Sequence, residues 1–342
     1  MSDKRQNILV VSLQGAGNNI LSLPMTAALH EAYPDAEVDL LIQGSTIAEV
    51  LETRSFVNQV ISAKGSKTAL LRRLRARNYA TALFAFPAGR RSHLLAWVAG
   101  IPRRIGHLIP ERGTFALTDK QPMVADAHDL EQNDLLLARL GIPPAAESFW
   151  PPLDDIPQGY RSIAERYLID HDLDPNKRYL GIHTGSDGRF AEKRYPPELF
   201  AKVAEMVFEE FGMPCIVFDG PAEQGTGKQL ARAADTPVHA LDGWGTYAEV
   251  WGMLSFCDLF VSNDSGLMNL ASATGIPTVA VFGPSQPHRT RPYCGTIAAA
   301  DLPCSHCYTL GKYSGCRYDL PRCLHDLPPE QVFEAVKEVL TR

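Results

Sequence analysis

A short apolar strand, a turn holding glycine and a helical pattern follow one another along the chain, and after a proline-dense stretch the same series begins again. This alternation constrains the fold more than any other feature, because strands separated by helical crossovers pair in parallel and a parallel sheet needs helices on both faces. Residues 7–13 read as a buried strand, 14–19 as a turn, and 20–33 as a helix closed before Pro34. Residues 38–42 form the next strand. Apolar pieces at 57–61, 79–86 and 104–106 continue the βαβ pattern, and 128–140 is the last helix of this half.

Pro143, Pro144, Pro151, Pro152 and Pro157 break regular structure between residues 141 and 157, so the chain divides near 155. At 342 residues, two domains of ordinary size are expected. The second half opens with a helix at 161–170. Its strands are expected at 179–183, 214–219, 237–241, 259–262 and 278–282, its helices at 196–211, 246–255 and 266–274, with a terminal amphipathic helix at 329–340. The fold class is α/β, two Rossmann-like, doubly wound domains: 1–155 and 156–342, the latter with a Cys-rich loop at 303–324. Ligands of such domains bind where βα turns gather at the carboxyl ends of strands.

Composition excludes several alternatives. With 45% hydrophobic and 21% charged residues the chain is neither disordered nor collagen-like. No apolar run approaches the ~20 residues of a membrane span, and the first apolar run, residues 8–11, suits a strand rather than a secretion signal. Seven cysteines without an export signal imply a reducing, cytoplasmic setting. The net charge of −6 divides unevenly: +2 over residues 1–150 and −8 over the remainder. Residues 53–110 hold eleven lysines and arginines and no acidic residue. That stretch is either a solvated helix face or a positive field for an anionic ligand. Thin aromatic interleaving and the acidic whole argue for phosphate on a small molecule or lipid rather than nucleic acid.

Three motifs sit at predicted βα turns. Gln14-Gly15-Ala16-Gly17-Asn18-Asn19 follows the first strand, where glycines admit close backbone approach to a ligand, or simply make a tight turn. His183-Thr184-Gly185-Ser186 follows the strand at 179–183, with Lys193-Arg194-Tyr195-Pro196 at a helix start. Such small residues present amides to phosphate oxygens, and Lys193 adds a point charge; an ordinary turn with a surface lysine is the alternative. Ser262-Asn263-Asp264-Ser265-Gly266 ends one strand and opens a helix that Asp264 or Ser265 would cap whatever the function.

In their order these motifs resemble glycosyltransferase family 9, the inverting lipopolysaccharide heptosyltransferases. The matching stretches are residues 17–24, 183–186, 193–196, and 263–271 running into 275–284. The resemblance implies a GT-B fold, two Rossmann-like domains facing each other across a cleft. It also implies a nucleotide-sugar donor (ADP-heptose, or a UDP or GDP sugar) on the C-terminal domain and an anionic glycolipid acceptor on the N-terminal one. Peripheral contact with the inner membrane would follow. Thr184, Gly185 and Ser186 would hold the diphosphate, and Glu223 the ribose. Lys193 would offset charge on the leaving nucleotide, while Asp264, Ser265, Gly266 and Asn269 would face the donor. Gly15, Gly17 and Asn19 would meet the acceptor, and no cofactor would be required for catalysis. The family usually carries Asp where this chain has Asn18, the catalytic base position, and His where it has Asn269. A catalytically silent nucleotide-sugar-binding or scaffold relative is therefore the alternative. Separately, Cys304, Cys307, Cys316 and Cys323 form a spacing suited to a structural zinc or iron ion, or are free thiols in a loop.

Overall fold

The computed structural model describes residues 7–109, 112–186, 191–220, 225–309 and 315–341. It divides into two compact units, Met1–Pro152 and Leu153–Arg342.

The first unit runs β1 (Ile8–Ser12), α1 (Ala16–Leu21), α2 (Leu23–Ala32), β2 (Val38–Ile42), α3 (Ala48–Glu52), β3 (Gln59–Ser62), α4 (Lys67–Ala76), β4 (Thr81–Phe84), α5 (Arg90–Val98), β5 (Arg103–Leu108), β6 (Asp119–Pro122) and α6 (Asp129–Leu137). Its strands form one sheet in the order β3-β2-β1-β4-β5-β6, all parallel. Every residue of β1 and β2 is buried, as expected of strands covered on both faces. Leu9, Val11, Leu41, Ile61 and Phe84 centre the core. Buried Asp39 of β2 accepts from Arg77 Nε (2.9 Å), the Tyr79 hydroxyl (2.5 Å) and the side chains of Asn58 and Gln59, which ties β2 to the start of β3 and to the segment between α4 and β4.

The second unit runs α7 (Gln158–Asp170), β7 (Tyr179–His183), α8 (Pro197–Phe211), β8 (Cys215–Val217), α9 (Thr226–Ala233), β9 (Val238–Ala240), α10 (Tyr247–Leu254), β10 (Cys257–Asn263), α11 (Gly266–Ala273), β11 (Thr278–Phe282), α12 (Pro287–Thr290), β12 (Thr296–Ala299), α13 (Arg322–His325) and α14 (Pro329–Thr341). Its sheet is β12-β11-β10-β7-β8-β9, again all parallel. Leu180, Ile182, Phe200, Val261, Val281 and Val336 lie in its core. Gly252 of α10 packs on α7 so closely that an added Cβ would stand 2.3 Å from the Tyr160 carbonyl oxygen.

Three local expectations need correction. The helix after β1 starts at Ala16, not Ile20, so Gly17, Asn18 and Asn19 belong to α1 rather than to a turn. That helix and the next are separate, because Pro24 near the start of α2 lacks the N–H that a continuous helix would need. The edge strands β6 and β12 were not anticipated.

Candidate functional site

In both sheets the strand order reverses direction beside the first strand of the unit, between β1 and β4 and between β7 and β10. A parallel sheet opens a crevice at that switch point, outside the strands' carboxyl ends. In the second unit both donor motifs fall there, one after β7 and one after β10.

Asn263, the last residue of β10, is fully buried and joins the two motifs. Its Nδ2 donates to the carbonyls of Thr184 (2.8 Å) and Gly185 (3.3 Å), and its Oδ1 accepts from the Tyr195 amide at 2.8 Å. One side chain thus fixes the turn after β7 and the segment that carries Lys193. Thr184 is buried and its hydroxyl lies 2.7 Å from that of Thr226, the first residue of α9. Arg194 Nε donates to the Ser186 hydroxyl at 3.4 Å.

Lys193 Nζ donates to Asp264 Oδ2 at 2.9 Å, both side chains 13% exposed. Thr290 Oγ1 donates to the other carboxylate oxygen at 3.3 Å, and the ammonium sits 4.8 Å from the centre of the Tyr308 ring. Little solvent screens this ammonium, and it is aimed by a carboxylate. Ser265 caps α11, its hydroxyl accepting from the Met268 amide at 3.1 Å, and Gly266 opens the helix beneath it. Asn269 is buried; its Nδ2 returns to the Ser265 carbonyl at 3.1 Å, and its Oδ1 has no hydrogen-bond partner among the described residues. His183 donates from Nδ1 to the Phe218 carbonyl at 2.6 Å. Burial pulls its pKa down to about 4, so the ring is neutral at pH 7.

In the first unit, Gly15 is the exposed N-cap of α1 and leaves room for a ligand, with nothing within 4 Å of an added Cβ. Gly17 follows in the first turn. Asn18 Nδ2 donates to the Phe86 carbonyl at 3.4 Å, and Asn19 is buried with its Oδ1 unpartnered among the described residues. Glu223 lies outside the described residues.

The four cysteines are neighbours. Burial and the other three thiols raise the Cys323 pKa to about 11, and burial with Cys316 and Cys304 raises that of Cys307. Among the described residues, no three His, Cys, Asp or Glu side chains gather as a metal-ligating group. The segment they carry is nonetheless docked against the site. Amides of His306 and Tyr308 donate to the carbonyls of Gly283 (3.0 Å) and Pro284 (2.7 Å), which holds the Tyr308 ring by Lys193.

Sequence reasoning passed over Asn263, Thr226, Thr290 and Tyr308 as site residues. Asn263 stood inside a quoted motif, but its partners are remote in sequence. Thr226, Thr290 and Tyr308 carry no local signal.

Comparison with known proteins agrees with this geometry. The chain is 33% identical over 175 residues to lipooligosaccharide heptosyltransferase 2 of Campylobacter jejuni, 49% of this chain and 54% of that relative. Against lipopolysaccharide heptosyltransferase 2 of Salmonella typhimurium it is 25% identical over 98% of both chains. The solved structure of the E. coli ADP-heptose lipopolysaccharide heptosyltransferase II superposes with a TM-score of 0.75 at 23% identity, covering 98% of this chain and 99% of that one; the shared fold is GT-B. Glycosyltransferase family 9 (heptosyltransferase) matches residues 67–314. With a motif set gathered at the switch point and a family match over most of its length, the chain belongs to glycosyltransferase family 9.

Proposed function

We propose that this chain transfers a heptose from ADP-heptose to a lipopolysaccharide-type acceptor, with inversion at the anomeric carbon. The observation that carries this reading is the joining, by Asn263, of the Thr184–Ser186 turn to the Lys193–Asp264 pair at the switch point of the second unit. The named relatives supply the sugar and the acceptor class.

An acceptor hydroxyl attacks the anomeric carbon while the bond to the donor diphosphate breaks, and ADP leaves with the bonding electron pair. Negative charge grows on the diphosphate. The Lys193 ammonium and the backbone amides at 184–186 and at the start of α11 stabilise it, and because they are fixed in advance they need little reorganisation. Asp264 keeps the ammonium oriented before the donor arrives. The acceptor proton leaves to a base other than Asn18, whose amide cannot accept it. No described helix is long and apolar enough to cross a membrane, which suits a protein working from the cytoplasmic side on a lipid-borne acceptor.

Calorimetric titration with ADP-heptose, UDP sugars and GDP sugars tests the donor, and NMR of the product anomer tests inversion. ADP-heptose binding tightest supports the reading; preference for another nucleotide removes the heptose assignment. A second reading has one observation in its favour. Asn18 already spends its amide on the Phe86 carbonyl, as a structural residue would in a relative that binds donor without turning it over. Donor binding without product on any phosphorylated core acceptor selects that reading.

A further inference from the structure

The Cys-rich segment is fastened at more points than a surface loop needs. Its first residues, through Tyr308, lie along the turn Gly283-Pro284-Ser285, which leaves β11 beside the strand that ends at Asn263; the register sets Asn263 opposite Val281. The amides of His306 and Tyr308 donate to the carbonyls of Gly283 and Pro284, at 3.0 and 2.7 Å. The His306 ring adds a third bond to the same turn, Nδ1 donating to the Ser285 carbonyl at 2.8 Å. Ser305 Oγ ties the segment on its other side, to the Ala300 carbonyl at 2.7 Å. His306 holds φ at +58°, a left-handed conformation that a residue with a Cβ adopts only at a cost, which the bonds to the turn offset.

Beneath the turn, α13 fills the space. A Cβ added at Gly283 would stand 2.6 Å from Leu324 Cγ and 3.1 Å from Cys323 Sγ, both buried side chains, so only glycine lets the turn lie this close to the helix. A segment held in this way delivers one side chain to the site. The Tyr308 ring centre lies 4.8 Å from the Lys193 ammonium, which donates to Asp264 Oδ2 at 2.9 Å. An aromatic face attracts a cation through its quadrupole yet carries no charge. The ring therefore confines the four-carbon stem without competing with an incoming anion, as a second carboxylate in its place would. It also displaces water from a strongly hydrated ammonium, which leaves that charge less screened.

We propose that Tyr308 is a positioning residue for the leaving-group ammonium, and that the Cys-rich segment is the strap that holds its ring in place. This rests on the reading of the second unit as the donor site. Departing ADP carries about one more negative charge than the diphosphate of the intact donor, so a residue that aims Lys193 at the leaving group acts on ADP binding and kcat more than on donor binding.

The test uses the full chain and calorimetric titration with ADP and with intact ADP-heptose. Tyr308→Leu is expected to bind ADP about tenfold more weakly and ADP-heptose less than about threefold more weakly, with kcat falling in step with ADP affinity. Tyr308→Phe keeps the ring and is expected to retain at least about half of wild-type ADP affinity and kcat. Gly283→Ala keeps ring and ammonium but wedges the turn away from α13, and should weaken ADP binding several-fold. Unchanged ADP affinity in Tyr308→Leu overturns the positioning role. An equal loss for ADP and ADP-heptose overturns it in favour of a purely structural part, and a loss in Tyr308→Phe as large as in Tyr308→Leu transfers the effect to the hydroxyl. Unchanged ADP affinity in Gly283→Ala overturns the strap. The transferase reading fails separately: a wild-type chain that binds both ligands, shows the expected Tyr308 pattern in affinity and yields no product refutes turnover and leaves the positioning role standing.

Discussion

Replacing Lys193 by methionine keeps most of the side-chain volume and removes the ammonium, leaving Asp264 without its partner. The pair is 2.9 Å apart with each side chain 13% exposed. At an effective dielectric of ~20 its gross attraction is about 6 kcal/mol, much of it offset by the desolvation of both ions. Removing one partner of a fully buried pair typically costs about 3–5 kcal/mol. Here Thr290 still donates to the carboxylate and some water reaches it, so we expect a loss of about 2–3 kcal/mol in urea unfolding. Adding Asp264→Asn should restore most of that loss, because no stranded charge remains. ADP binding should respond differently. A hydrogen bond from a charged donor contributes about 1.5–3 kcal/mol, so ADP affinity should fall roughly 10- to 150-fold in Lys193→Met. In the double variant it should recover only the part caused by repulsion from the bare carboxylate. Calorimetric ADP titration of wild type, both single variants and the double variant completes the cycle. Unchanged ADP affinity in Lys193→Met would refute the role of this ammonium, and unchanged stability would refute the energetic account of the pair.

Asn18→Asp turns an amide donating at 3.4 Å into a carboxylate facing the Phe86 carbonyl, so stability should fall by about 1 kcal/mol. Turnover should nevertheless rise tenfold or more as a base is supplied, and a fall in turnover would show that the amide itself is needed. Gly252→Ala brings a methyl group against the Tyr160 carbonyl and should cost about 3 kcal/mol or more by chemical denaturation; a loss under about 1 kcal/mol would show that α7 and α10 separate freely. His183 is neutral in the fold with a pKa near 4, below its unfolded value, so its contribution is constant above pH ~6.5 and is lost as pH falls toward 4. Between pH 7.5 and 5.0 that loss amounts to about 2 kcal/mol, and His183→Gln should abolish this part of the slope. With its pKa near 11, Cys323 is about one part in a thousand thiolate at pH 8 and should be alkylated much more slowly than exposed Cys294, as peptide mass spectrometry would register.

The strands that were legible in the sequence are the buried central ones. β1 and β11 are almost wholly apolar, and β2 and β7 are so apart from the buried Asp39 and His183, because a parallel strand covered on both faces has no solvent-facing side to display. The edge strand β6 reads Asp-Lys-Gln-Pro and pairs only with β5, so nothing in its composition distinguishes it from a loop. The motifs were legible for a related reason: small residues and glycines after a strand must sit at a βα turn. Which of their side chains face a ligand was not. Asn269, expected at the donor, gives its Nδ2 to the Ser265 carbonyl and leaves its Oδ1 unpartnered among the described residues, while Asn263 joins the two motifs. The positive stretch was visible as charge, yet more than half of its bases are engaged by carboxylates, a side-chain amide or carbonyls.

By itself the sequence determined two doubly wound α/β units, the βα turns that carry the chemistry, and the sign of charge in the first unit. Strand and helix periodicity and turn chemistry are set by neighbours within a few positions. Only the tertiary structure decided that Lys193 meets Asp264, 71 positions away, that Asn263 clasps the loop after β7, 79 positions away, and that the Tyr308 ring stands by Lys193. The reason is physical: those partners are brought together by the order in which parallel strands hydrogen-bond, a property of the whole sheet that no local window of residues encodes.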